Sequence, residues 1–141
     1  MRTVLLAVNQ SPSSFEATLY VIKFIKTYGP LTVHVVNVQP APLPWLPHDE
    51  VQEAIEAHLA VETHTGLLHE EQIPWQIHKR HGVAARVLAA MADELGCDHI
   101  ILGTRGLNAM KGMLLGSVTT EVLCMANVPV ICVKGKHPDI L

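Results

Sequence analysis

This chain has little net charge and no long apolar run, and those two absences remove several classes of function at once. Its 141 residues carry 10 Lys and Arg against 13 Asp and Glu, a net charge of −3, with a pI near 6.3. That balance provides no electrostatic case for a nucleic acid or an anionic membrane as partner. No apolar stretch reaches the roughly 18 residues of a membrane span. The chain enters Thr3-Val4-Leu5-Leu6-Ala7-Val8 without the charged, apolar and small-residue zones of a secretory signal, so the expected location is the cytoplasm. Cysteine is scarce: Cys97, Cys124 and Cys132 are an odd set with no CxxC pair. They fit reduced, small buried hydrophobes better than a disulfide framework. Internal repeats, low-complexity tracts and linkers are absent. The stretch holding Pro40, Pro42, Pro44 and Pro47 is too short to separate two cores. Residues 1–141 are therefore expected to form one domain.

What is present is apolar material, 49% of the chain, laid out in strands and helices that alternate from end to end. Residues 3–8 form an apolar run suited to a strand covered on both faces. Ser13 and Glu16 read as a capping box opening a helix, with Thr18, Val21, Ile22 and Ile25 on one face and Gly29-Pro30 as its stop. Residues 32–38 are a second strand. Asp49 caps a second helix running to about residue 71, with Val51, Ile55 and Leu59 spaced by four. The alternation in residues 75–79 predicts a third strand with one wet face, at or near a sheet edge. A third helix spans 83–95 with Val83, Val87, Leu88 and Met91 inward, stopped by Gly96. A fourth strand covers 99–102. Ser117 starts a last helix carrying Val118, Val122 and Met125. Residues 129–133 form a fifth strand, with Pro129 where a missing donor costs least, and the tail from residue 134 reads as loose. Strands joined by helical crossovers predict an α/β fold: a mainly parallel sheet with helices on both faces.

Chemistry concentrates after the fourth strand. Gly103-Thr104-Arg105-Gly106 is followed by nine residues and then Gly116-Ser117-Val118-Thr119 at a helix start. Glycine permits close approach of a ligand to the backbone. A helix N-terminus offers unpaired N–H groups and about half a unit of positive charge. Together these make an anion site, to which Ser117 and Thr119 add hydroxyls and Arg105 and Lys111 add charge. The string is neither the Walker GxxxxGK[ST] loop nor GxGxxG. The bland alternative is a long turn with Ser117 as an ordinary N-cap. In open parallel sheets ligands sit beyond the strand ends where strand order reverses. If the first and fourth strands are neighbours there, the Val8-Asn9-Gln10-Ser11 turn faces the Gly103 loop.

Gly103-x2-Gly106-x9-Gly116-Ser117 matches the G-x2-G-x9-G-[S/T] nucleotide motif of the universal stress protein family. The resemblance extends through Leu5-Leu6-Ala7-Val8-Asn9, Val35-Val36-Asn37-Val38, Gly82-Val83-Ala84, Ile100 to Gly106 and Asn127 to Val133. It implies a five-stranded parallel sheet in the order 3-2-1-4-5, a Rossmann-like arrangement of the adenine nucleotide α-hydrolase type. It further implies a homodimer paired through the last strand, Val130 to Val133, and binding of ATP with a divalent ion such as Mg2+ near the phosphates. Carried over by position, Gly106, Gly116, Ser117, Val118 and Thr119 hold the phosphates, while Ala7, Asn9, Val38, Leu102 and Gly103 line the adenine and ribose. The family's aspartate after the first strand is Asn9 here, which can donate to and accept from an adenine edge but brings no charge to a metal. No protein side chain is assigned to a metal, and no catalytic residue is identified.

Other readings remain open at this stage. Nine histidines invite a metal, yet no HExxH string occurs; His58 and Glu62 at i, i+4 read as a solvated face, and so do His78 and His81. Trp45 either covers a ligand in part or anchors its loop. An enzyme related to adenylyl transferases or ATP pyrophosphatases would need an HxGH or SGGxD-like string, and the sequence has neither. A dimeric interaction protein that no longer binds nucleotide finds its best support in Asn9, and slow ATP hydrolysis without a dedicated base is a further alternative.

Overall fold

The structure, a computed structural model, describes residues 1–47, 49–105 and 115–135. Strands and helices alternate as β1 (Thr3–Ala7), α1 (Pro12–Tyr28), β2 (Thr32–Gln39), α2 (Glu50–Glu70), β3 (Trp75–His81), α3 (Ala84–Glu94), β4 (His99–Gly103), α4 (Ser117–Met125) and β5 (Val130–Val133). The five strands form one sheet in the order β3-β2-β1-β4-β5, and every pairing is parallel. The expected order and edge position of β3 are thus observed. Strand order reverses at β1, which pairs with β2 on one side and β4 on the other.

Alternation along each strand divides the core into two layers. Val4, Leu6, Val8, Val33, Val35 and Ile101 point to the face covered by α1 and α2, where Ala17, Val21, Val61 and Leu68 meet them. Leu5, Val36, Ile100 and Leu102 point to the opposite face, against Leu88 and Met91 of α3 and Val122 of α4. β1 therefore reads as a continuous apolar run because both of its faces are covered.

Local starts and stops differ from expectation in instructive ways. The N-cap of α1 is Ser11, whose side chain accepts from the Ser14 N–H, and Pro12 takes the first helical position. Proline is suited there by its fixed φ and missing N–H, so the cap moves two residues ahead of the expected Ser13. Asp49 caps α2 as expected, accepting from Val51 and Gln52. The inward face of α2 is Ala57, Ala60, Val61, His64 and Leu68. Val51, Ile55 and Leu59 are 70, 48 and 47% exposed, so the apolar stripe spaced by four lies on the outer side of the helix. Val83 precedes α3 as its N-cap and is exposed, as are Val118 and Met125 of α4. Gly96, after α3, has φ +65°, a left-handed conformation that glycine adopts at little cost. Cys97 is buried, Cys132 half-buried and Cys124 exposed, all as free thiols. The small-hydrophobe reading thus describes Cys97 and not Cys124. Burial, then the Asp98 charge, push the Cys97 thiol up to about 11. No helix is long and apolar enough to cross a membrane among the described residues.

Candidate functional site

The carboxyl ends of β1, β2 and β4 and the amino end of α4 meet at the strand-order reversal. Two hydrogen bonds fasten α4 there: Gly116 N–H donates to the Thr104 carbonyl at 2.7 Å, and the Thr119 hydroxyl donates to the Gly103 carbonyl at 2.9 Å. The hydroxyl proton of Thr119 is thereby engaged with β4, whereas Ser117 is exposed. The N-cap of α4 is Gly116, with no side-chain cap among the described residues, so Ser117 is the first helical residue and not the cap. Gly116 has φ −73° and ψ 166°, an extended backbone open to any residue.

The sequence-derived candidates divide between the layers. Ala7 and Val38, both half-buried, and buried Leu102 belong to the α3/α4 layer, the same side as α4. Val8 packs in the other layer. Its main chain is held at this edge, with the N–H donating to Val36 at 2.9 Å and the carbonyl accepting from Asn37 Nδ2 at 2.8 Å. Arg105, half-buried, ends the described part of the loop; Gly106 and Lys111 lie outside the described residues.

Gly103 has a packing reason of its own. A Cβ built there would stand 2.2 Å from Ser13 Oγ and 2.6 Å from the Ser13 carbonyl carbon. Ser13, released from capping, donates through Oγ to the Arg105 carbonyl at 2.6 Å and accepts from the Arg105 N–H at 3.3 Å. The first turn of α1 thus rests directly on the end of β4, as the neighbouring of the first and fourth strands required.

Asn9 is held locally. Its Oδ1 accepts from the Ser11 N–H at 2.8 Å, which fixes the side-chain orientation because the amide nitrogen has no lone pair to offer that donor. Its own N–H donates to Ser14 Oγ at 2.9 Å. With one lone pair of the oxygen engaged, the carboxamide keeps its two N–H donors and a second acceptor lone pair, so it retains the means both to donate to and to accept from a base. Its carbonyl accepts from His64 Nε2 at 2.7 Å.

Neither His64 nor Ser14 was singled out by sequence, Ser13 was marked only as a helix cap, and Asn37 only as part of the second-strand resemblance. His64 had a signal: it continues the 3- and 4-residue spacing of Ala57, Ala60, Val61 and Leu68 on the inner face of α2. His58 Nε2 and Glu62 Oε2 are 3.7 Å apart on an exposed face. No group of three or more His, Cys, Asp or Glu side chains is placed to hold a metal among the described residues. Trp45 is exposed.

The universal stress protein family profile matches residues 1–134. A universal stress protein of Methanocaldococcus jannaschii is 39% identical over 56 residues, a stretch covering 40% of this chain and 35% of that relative. A second from the same organism is 27% identical over 139 residues, covering 94% and 82% of the two chains. A universal stress protein of Archaeoglobus fulgidus solved in complex with dAMP superposes with a TM-score of 0.70 at 23% identity, over 95% of this chain and 98% of that one. A family protein of Arabidopsis thaliana with AMP bound has a TM-score of 0.75 at 15% identity, over 99% and 95%.

Proposed function

The chain belongs to the universal stress protein family, and from that membership we propose that it is an adenine-nucleotide-binding regulatory module of the stress response, taking ATP with magnesium at the edge formed by β1, β4 and α4. The observation that carries this reading is the start of α4, which has no side-chain cap among the described residues. Gly116 stands at the N-cap in a backbone conformation that does not require glycine. First-turn N–H groups that no side chain of the described residues caps suit a phosphate, and glycine lets it approach. In this reading Gly106, Gly116, Ser117, Val118 and Thr119 hold phosphates, with Arg105 adding charge. Ala7, the Val8 main chain, Asn9, Val38, Leu102 and Gly103 border the base and sugar. The adenine nucleotides bound by the Archaeoglobus and Arabidopsis proteins support the ligand class. The protein acts by ligand-dependent change of partner or state rather than through a dedicated catalytic group, as a cytoplasmic homodimer. β5 closes one edge of the sheet with an apolar, half-buried Val130–Val133 run. Such an edge calls for a cover, which a second copy supplies.

Calorimetric titration of nucleotide-free protein with ATP, with and without magnesium, tests the reading. One ATP per chain is expected, and Gly116→Val should abolish binding while leaving a folded protein. Equal affinity in that variant would place the ligand elsewhere. A second reading, an interaction protein that no longer binds nucleotide, draws on Gly103. Its Cβ position is filled by Ser13, so packing alone would preserve that glycine. Absence of binding at millimolar ATP would favour this second reading.

A further inference from the structure

His64 lies on the inner face of α2, 3% exposed, and its ring joins three elements. Nε2 is 2.7 Å from the Asn9 carbonyl in the β1–α1 turn, and Nδ1 is 2.7 Å from the Thr18 hydroxyl of α1. A carbonyl only accepts, so Nε2 carries the proton and Nδ1 receives the Thr18 hydroxyl proton. Burial, opposed by the Asn9 bond, lowers the affinity of the ring for a second proton, and the neutral form satisfies both neighbours. Asn9 is also held by Ser14 through its N–H and by Ser11 through Oδ1. Its Nδ2 is the remaining polar group, without a hydrogen-bond partner among the described residues.

We propose that His64 is a positioning residue for the nucleotide site, holding the Asn9 peptide from α2 so that Asn9 Nδ2 meets the ligand as a donor. This rests on the reading that the nucleotide lies at the β1–α1 turn. The group facing Asn9 Nδ2 is then an acceptor, a ring nitrogen or a hydroxyl oxygen, because an amide nitrogen only donates. The physical effect is on population. Apparent affinity falls in proportion to the fraction of molecules whose turn is competent to bind. A turn braced from one helix alone spends less time in that state than one braced from two. The leverage is long-range, since His64 is 55 residues from Asn9 in sequence and reaches it from behind, through α2.

Three variants test the role by calorimetry with AMP and ATP, well below the unfolding temperature. His64→Gln keeps an amide donor within reach of the Asn9 carbonyl and disturbs the Thr18 contact. His64→Leu fills the space and leaves the carbonyl unpaired. Thr18→Val removes the hydroxyl at nearly constant volume and serves if the leucine variant does not fold. We expect His64→Leu to weaken binding about tenfold and Thr18→Val about threefold, with His64→Gln close to wild type even where its unfolding temperature drops as far as that of the leucine variant. Affinities that follow unfolding temperature across the set, or that do not change at all, would overturn the positioning role. Amide exchange at Asn9 and Ser11 separates the two levels of the argument. Faster exchange in His64→Leu with wild-type protein that binds no AMP or ATP would retain the brace while removing its nucleotide role. Unchanged exchange would remove the brace itself.

Discussion

Single residues at the edge of the sheet carry more than one demand, and Gly103 shows which demand is stronger. A methyl group there would meet the side chain and main chain of Ser13 at 2.2–2.7 Å, distances that require backbone movement. Overpacking of this kind costs about 1–3 kcal/mol. Gly103→Ala is therefore expected to lose about that much in urea unfolding, and Ser13→Gly should recover only part of it because the Ser13 backbone carbon is also in the way. A Gly103→Ala protein of wild-type stability would show that α1 stands off β4 in solution. The sequence marked Gly103 as special from its motif; the reason that the structure supplies is contact with a residue 90 positions earlier, which no local pattern contains. Asn9 is similar. Its identity was readable as an exchange of charge for an amide, but the orientation that turns Nδ2 away from Ser11 follows from the Ser11 N–H that its oxygen accepts.

At the scale of elements, helices were legible as helices, and their faces less so. α2 carries two apolar stripes. The one with Ala57, Ala60, Val61 and Leu68 is built from smaller residues and is buried. The one with Val51, Ile55 and Leu59 is more conspicuous in sequence and lies outward. Hydrophobicity alone favours the second; packing against the sheet favours the first, since alanines permit close approach. Replacing Val51 and Ile55 together by Gln should change the unfolding free energy by no more than about 0.5 kcal/mol per site, as at other exposed positions. Leu68→Ala, fully buried, should cost about 2–5 kcal/mol. A large loss at Ile55 in chemical denaturation would show that the outer stripe is covered in solution. The start of α1 teaches the same lesson: Ser11, Ser13 and Ser14 were all able to cap, and Pro12 decided among them.

For the whole molecule, two buried histidines and a half-buried one link stability to pH. His34 Nδ1 and His78 Nε2 are 3.0 Å apart across β2 and β3, a distance at which one proton is shared and a second is opposed. Burial lowers His34. His78 is lowered by burial and then by the charges of His34 and Arg80, and His64 is lowered by burial against the Asn9 bond. In each case the unfolded chain binds its proton first, near the ordinary imidazole value of 6.5. Stability is therefore fully present above that pH and falls as pH drops below it. Asp98 behaves differently. Burial raises it, but the His99 hydrogen bond, the Thr3 and Arg2 N–H groups and the terminal amine prevail and hold it at about 2, so its contribution persists until pH falls from 3.8 towards 2. Thermal unfolding is expected to shift downward between pH 7 and 5, and His34→Gln with His78→Gln should flatten that slope. An unchanged slope in the double variant would move the pH dependence to other groups.

The sequence by itself determined the class of fold, because alternating apolar runs and amphipathic helices joined by short connections leave little besides a parallel sheet covered on both faces. It also pointed to the Gly103–Ser117 loop as the candidate site, since glycines ahead of a helix start suit an anion. Tertiary structure alone decided what those residues touch. Ser13 against Gly103, His64 beneath Asn9 and Asn37 on the Val8 carbonyl are contacts between segments brought together by strand order. Hydrogen bonds and steric contacts act over a few ångströms in space, whereas a sequence pattern records only neighbours along the chain.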